Sequence, residues 1–597
     1  MNQSQERRIF RAIVLIGVYG GLLMPLVFIP VVIFPFVFSK LIFFQVLIGL
    51  TFPAYLILAW IDSTTRPRWT LLYSAIFAYF VALALSVTFA VDPARAWWGN
   101  QERMNGLFTV LHFFVWLTMA ISVVKTWEQW KKLLWYQLVL SGMMSIVALL
   151  QRPFPNLLLF PASGRVGGLL DNPIYMGAYQ IFNLFFIALL WLRGSDRTSR
   201  IWLTLFALLD IAAFIGAFSR GPLLGLGVGI LVFAALYGLL VPSRKSRMIV
   251  LSATAILFIS YGALFAFRNT DVIKNSPFGR FTNFQTTTRT RLIAWEIAWK
   301  GFLERPLTGW GYDNFHILFN VQYNPESLHF GYYETWFDRA HNTVMDALAM
   351  TGIFGTVTFF GIFGALFYSV HRAYRKKWID RPMTCIFVAL PIAYFIQNLL
   401  VFDQPAGFSM SFLLYALIAR ATSGEFPWTE HAQATVKSDT IPSKQVPWIA
   451  FVILQALAIF LVWRTSLIPF QASRNTITSN NYFSSGLIPQ ALEFAKKAAS
   501  LPTMYLDEQT FLQSRNSTTL VDNGMVQKFP AWREWHDLVR SVTERYFQDH
   551  PKNAHSHFIY ARFLETYGRI IPEDIPLAEK EYLKAIEWSP KRQQLHY

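Results

Sequence analysis

Runs of about twenty apolar residues recur along the chain as far as residue 466, and they limit its fold more than any other feature. A helix needs about 20 apolar residues to cross a hydrocarbon core roughly 30 Å thick. Inside that core there is no water to satisfy the backbone, so only helices or closed barrels can cross. Barrel strands alternate apolar and polar residues; these runs do not. Charged residues make up 15% of the chain, against about 25% in a soluble protein. An all-α, polytopic membrane protein is expected. Spans are predicted near 12–36, 41–61, 70–91, 106–124, 132–150, 175–192, 201–218, 221–240, 249–267, 343–369, 383–401, 407–421 and 448–466.

A net charge of +17 would direct a soluble protein towards nucleic acid. Here the basic residues sit mostly in short connections, where contact with anionic membrane lipid accounts for them, and no nucleic-acid partner is expected. They also fall on alternate connections. Arg7, Arg8 and Arg11 precede the first span, Arg66 and Arg68 follow the second, and Arg193, Arg197 and Arg200 follow the sixth. The positive-inside rule then predicts a multi-pass protein of the cytoplasmic (inner) membrane, with its N-terminus inside and its C-terminal tail outside. The single cysteine, Cys385, lies within an apolar run, so one chain can build no disulfide framework and no cysteine-based metal site.

The predicted organisation is a membrane domain over 1–467, with a long outer loop at 268–342 and a polar cytoplasmic linker at 422–447, followed by an extracytoplasmic tail over 468–597. The tail reads as helical and repeated. Asn481, Tyr482, Gly486, Ala491, Ala495, Ala498 and Pro502 are echoed by Ala554, Ala561, Gly568, Ala578, Ala585 and Pro590. Small residues at helix crossings, a glycine at the turn and a closing proline resemble tetratricopeptide repeats; an unrelated helical hairpin is the alternative. The chain stops just after the second copy, so a capping helix is expected to be missing or supplied by a partner.

Residues with chemistry collect at the predicted outer face. Ser219-Arg220-Gly221 lies in a connection of a few residues, where Arg220 either snorkels to the surface or faces a site. The outer loop contributes Arg268, Arg280, Arg289 and Arg291, followed by an apolar helical stretch that ends at Pro306 and Gly309-Trp310-Gly311. Arginine forks bind phosphate oxygens in pairs, which points to an anionic headgroup or diphosphate. Pairing with loop carboxylates such as Asp313 or Glu334 is the structural alternative. The loop returns to the membrane as Asp338-Arg339-Ala340-His341-Asn342. A histidine among arginines is disfavoured as imidazolium, and the neutral ring is what a general base needs. Asp210 lies within a span, where a carboxylate is either functional or a paired packing residue.

These residues resemble a known family. His341-Asn342, nine residues, Gly352, two residues and Gly355 fit the signature of bacterial O-antigen ligases. Arg291-Leu-Ile-Ala-Trp295 with Pro306-Leu-Thr-Gly309-Trp-Gly311 looks like the loop segment of that family, and Ser219-Arg220-Gly221 resembles its earlier arginine site. Gly167-Gly168, Asn172-Pro173 and Val91-Asp92-Pro93…Gly99…Arg103…Gly106 are also similar to family members. The resemblance covers roughly residues 10 to 420 and includes O-antigen ligases, related polymerases and bacterial protein O-oligosaccharyltransferases. It implies a fold similar to the glycosyltransferase C class. It also implies a polyprenyl-diphosphate-linked glycan donor and a lipid, glycan or protein acceptor. By the same resemblance, Arg220 and Arg291 would hold the diphosphate and His341 would act on the acceptor hydroxyl. Either Arg289 or Arg291 could be the ligand, and the neighbouring Trp295 favours Arg291. Arg280, Arg289, Arg339, Asn342 and Asp210 complete the candidate substrate-binding set. The chain contains no Asp-x-Asp, so a metal-dependent nucleotide-sugar mechanism is not expected, nor any cofactor. The tail departs from the family pattern and could bind an acceptor, cell-wall material or a protein partner. Two other classes compete with the enzyme reading: a transporter or flippase for the same lipid-linked glycan, and a catalytically silent scaffold.

Overall fold

The computed structural model describes residues 3–159, 164–194, 196–241, 243–267, 269–271, 285–424 and 445–596. Every described element is helical or irregular, and the segments read as spans overlap helices, the first only in part. Among the described residues, eight helices are long and apolar enough to cross a membrane: Phe38–Ile61, Leu71–Thr88, Trp127–Leu150, Pro173–Leu192, Arg197–Ala217, Arg220–Leu240, Thr343–Arg375 and Trp448–Ser484. Leu107–Val123 and Pro405–Ala421 are apolar but shorter. Apolar side chains stay exposed along the outside of the bundle, as in Ile201, Trp202, Leu208 and Ile215 on one helix and Ile449, Val452 and Ile453 on another. In water such a surface would aggregate; in lipid it costs nothing to expose.

The first predicted span, 12–36, needs correction. Its helix runs from Gln3 to Leu22 and gives way to a short turn at Met24–Leu26 and an irregular stretch. Pro25, Pro30 and Pro35 cannot donate backbone hydrogen bonds, so the apolar run outlasts the helix. Residues 425–444 of the predicted linker, and 272–284 of the outer loop with Arg280, lie outside the described residues, as does Arg268.

The tail is not hung on a flexible hinge. The last span passes through a π-helical turn, Trp463–Leu467, into Ile468–Ser484, so the predicted boundary at 467/468 falls inside a continuous helix. Ile468–Ser484 pairs with Ile488–Ala499, and Ala554–Gly568 pairs with Asp574–Trp588. Ala491, Ala495, Ala498, Ala561, Ala578 and Ala585 are all buried, the small residues letting the helices approach. Between these two hairpins stands a third, Asp507–Asp522 with Trp532–Asp549, which lacks the alanine pattern and was not legible in the sequence.

Residues 589–592 of the tail are anchored on the loop before His341. Arg592 is fully buried, donating to the Thr335 carbonyl and to Asn320 Oδ1 at 2.8 Å each, and it stacks on Trp336 at 3.5 Å. Ser589 donates to the Asn320 carbonyl at 3.0 Å. His550 and Asp92 meet at 2.7 Å. The outer loop therefore packs directly against the last described helices of the tail.

The glycines of the signature have a geometric role. The helix Thr343–Arg375 is broken at Gly352, where φ is 59° and ψ is −159°. The Pro306–Gly311 turn crosses the break. Ile353 donates to the Pro306 carbonyl at 2.8 Å, and Trp310 and Gly311 donate to the carbonyls of Ala349 and Met350 at 2.9 and 3.0 Å. A Cβ on Gly352 would lie 2.4 Å from the Leu307 carbonyl oxygen, and one on Gly309 would lie 2.3 Å from Met350 backbone. Gly352→Ala is therefore expected to destabilise by roughly 1–3 kcal/mol from backbone conformation alone, before the clash is added. A lowered melting temperature in detergent checks this; an unchanged one would show that the crossing tolerates a side chain.

Candidate active site

The Gly352 break leaves a short helical turn beginning at Thr343. Asn342 caps it, its side-chain oxygen accepting from Val344 at 2.9 Å and Met345 at 3.2 Å. Ala340, the residue before His341, is held at both backbone groups. Its N–H donates to Asp346 at 2.7 Å, and its carbonyl accepts from the Trp295 indole at 3.0 Å. His341 thus has little freedom. It adopts φ 55°, a left-handed conformation rare for a residue with a side chain. Its ring stands edge-on between Phe337 and Phe402, with centroids 5.2 and 5.1 Å away.

Nδ1 of His341 lies 3.1 Å from the Arg339 carbonyl. A carbonyl only accepts, so Nδ1 carries the proton and Nε2 is the lone-pair nitrogen of the neutral ring. Burial lowers the His341 pKa to about 4; Asp338 opposes this, and Arg291 and Arg103 add to it. The ring is neutral at physiological pH, the form that accepts a proton.

Arg291 is the link between His341 and Arg220. It rises from the outer helix Gln285–Glu304, whose Ile293, Ala294, Ile297 and Ala298 are buried while Leu292, Trp299 and Leu303 stay exposed, as in an interfacial helix. Burial lowers the Arg291 pKa, and the nearby Arg220 charge lowers it further, against Glu334. Arg220 begins the helix Arg220–Leu240, directly after Phe218, which is left-handed, and buried Ser219. Two half-buried guanidinium groups facing one neighbourhood repel each other, a cost that an anion between them would reverse.

Arg289, the alternative two residues away, points elsewhere. Its fork grips Glu326 at 2.8 and 3.0 Å on the exposed side of the loop. Arg339 is buried and paired with Asp313, which also accepts from Arg95 at 3.2 Å, so it braces the loop. Asn342 is a helix cap. Asp210 is fully buried among three spans, its oxygens accepting from Ser145 at 2.7 Å and Ser141 at 2.9 Å. The sequence marks all four as substrate-binding candidates; the structure gives each a structural partner.

Arg103 and Asp338 flank His341, although the sequence gives neither a role. Arg103 donates to Asp338 at 2.9 Å and lies over the Phe402 ring at 4.9 Å. Burial alone would raise the Asp338 pKa, but Arg103 outweighs it and holds the carboxylate well below its usual range. Arg103, Asp338 and Phe402 therefore form a charged and aromatic collar on the histidine. Their signal in the sequence was weak, because Arg103 is distant from Asp338 along the chain.

Below the collar, inside the bundle, lies a cavity of about 110 Å³ lined by Tyr79, Phe80, Phe359, Phe363, Phe402 and Phe412 among others. Its aromatic walls open beside Arg339 and Thr343, at the level of His341. Residues 204–360 match the family model described as O-antigen ligase. The match runs from within the Arg197–Ala217 helix through Arg220, Arg291 and His341 to Gly352 and Gly355. No curated protein matches the chain.

Proposed function

We propose, from the premise that this is an O-antigen ligase-like membrane protein, that it is a glycan ligase. It would transfer a preassembled oligosaccharide or polysaccharide from a polyprenyl-diphosphate carrier to an acceptor hydroxyl, at the outer face of the inner membrane. The observation that carries this reading is a chain of charge effects: Arg220 acts on Arg291 and Arg291 acts on His341, which puts each pair within electrostatic range.

Arg220 and Arg291 bind the diphosphate oxygens. The acceptor oxygen attacks the anomeric carbon from the face opposite the diphosphate, and the bond from that carbon to the diphosphate oxygen breaks. The hydroxyl proton passes to His341 Nε2, and polyprenyl diphosphate departs with the bonding electron pair. The new glycosidic bond is inverted. Diphosphate is a good leaving group, so charge compensation by fixed arginines replaces a general acid and a metal ion. A polymerase or a protein O-oligosaccharyltransferase would use the same donor chemistry with another acceptor.

The test is transfer from a polyprenyl-diphosphate glycan by the purified protein in EDTA. Transfer is expected. Its absence, together with movement of the lipid-linked glycan across vesicles, would replace the ligase with a flippase.

The pH dependence carries a further expectation. The ring of the free enzyme protonates near pH 4, so kcat/KM for the donor should stay level as pH falls from 8 to 6. A free histidine would give an acid limb near its ordinary value of about 6.5. Bound diphosphate neutralises Arg291 and favours the imidazolium, so the acid limb of kcat should lie at higher pH than that of kcat/KM. Coincident limbs near 6.5 would contradict the buried, arginine-flanked histidine.

A further inference from the structure

A second cavity, of about 350 Å³, opens between the outer loop and the tail. Arg103, Phe337 and Asp338 line it, and Phe337 is also one of the rings packed on His341. The cleft and the proposed base therefore share Phe337, which lines one and packs on the other. Its opposite wall belongs to the tail: Glu508, Phe511 and Ser514 from one helix, Thr543 and Tyr560 from two others.

Several polar groups in this cleft lack a partner. Thr543 is 2% exposed, and its hydroxyl makes no hydrogen bond among the described residues. The Trp336 indole N–H and one oxygen of Asp507 are in the same condition. Buried polar groups without partners are costly, and a ligand that bonds them recovers that cost. The charge balance narrows the ligand. Glu102, Asp338, Asp507 and Glu508 line the cleft with Arg95 and Arg103. Arg95 is paired with Asp313, and Arg103 with Asp338 and Glu102, so among these lining residues no arginine is left for a phosphate and Asp507 is the carboxylate without an arginine partner. Burial, then Asp507 and Glu102, raises the Glu508 pKa to about 8, which makes it a hydrogen-bond donor at neutral pH. Donors, carboxylate acceptors and the half-exposed Phe511 face together suit a ring that carries hydroxyls.

We infer that this cleft is the acceptor site, built jointly by the outer loop and the tail, and that it takes a neutral or amino-bearing sugar in preference to a phosphorylated one. The inference rests on the transferase reading for its place in the reaction, but binding can be measured without turnover. The full chain in detergent is titrated with chitotriose, with its deacetylated amino trimer, with a trisaccharide phosphate and with a serine-containing peptide, following tryptophan fluorescence. Saturable binding of either uncharged or amino trimer, at least tenfold tighter than the phosphate, is expected. Thr543→Val and Phe511→Ala should each weaken it by fivefold or more. Thr543→Val should leave the melting temperature unchanged or raised, since it removes an unbonded hydroxyl; a purely structural threonine would not separate the two readouts. No binding of either trimer, preference for the phosphate, binding only of the peptide, or binding indifferent to both variants would each overturn the inference. Transfer assays separate the two readings. Trimer binding that responds to the variants without any transfer leaves the cleft standing as a sugar site and removes the ligase. Transfer whose acceptor KM ignores Thr543→Val and Phe511→Ala keeps the ligase and removes the cleft.

Discussion

His341→Asn is expected to lower glycan transfer by roughly 10²–10⁴-fold, the usual contribution of a positioned general base, while the protein stays folded. Asparagine is the informative replacement because it tolerates the left-handed backbone that His341 occupies at φ 55°. Alanine would add backbone strain and confuse loss of chemistry with loss of geometry. The Nδ1 bond to the Arg339 carbonyl and the two flanking rings orient the imidazole, so a smaller polar group cannot present a basic nitrogen at the same place. Donor binding should survive, because the arginines are untouched. Initial transfer rates, beside a melting curve and a donor-binding titration, check this. An active, stable His341→Asn protein would remove His341 from the chemistry.

Arg291→Ala is expected to cost roughly 10²–10³-fold in transfer, the loss typical of one preorganised charge-stabilising donor. Its effect on stability should have the opposite sign. Arg291 is half-buried beside Arg220, and the two charges repel, so removing one should leave the melting temperature unchanged or raised. Loss of function without loss of stability marks a group held in place for a ligand. Arg291→Lys keeps the charge but loses the fork and should recover only part of the rate. Arg289→Ala is the control. Its bidentate pair with Glu326 is exposed, and surface pairs of this kind contribute about 0–1 kcal/mol, so transfer should change little. Equal losses in the Arg289 and Arg291 variants would mean that the whole helix, and no single guanidinium, holds the donor.

How far the site could be read in advance depended on the range of each interaction. Arg291 was separable from Arg289 through its neighbour Trp295, whose indole holds the carbonyl just before His341. Arg339 and Asn342 looked equally suited to a ligand. Arg339 is instead committed to Asp313, and Asn342 to the amides after it. The first of those partnerships joins loop positions that no spacing rule connects. Arg103 was visible only as part of a motif, since its partner Asp338 lies on another loop. The Gly352 and Gly355 signature was legible as a pattern. That Gly352 serves a backbone crossing became clear only when the Pro306–Gly311 turn was seen lying over it.

The sequence by itself determined that this chain is a bundle of membrane-crossing helices, because runs of about twenty apolar residues have no other soluble or lipid-compatible solution. It also determined which helices begin with arginine or histidine at their ends, since those residues stand in the short breaks between runs. The tertiary structure alone decided which of these end groups meet. It set Arg220 within electrostatic range of Arg291 and Arg291 within range of His341, committed Arg289 to Glu326 and Asp210 to Ser141 and Ser145, and laid the tail over the outer loop as one wall of a cleft. Helix formation depends on residues three or four apart. The convergence of side chains from different helices depends on packing between segments far apart in sequence, which local periodicity does not encode.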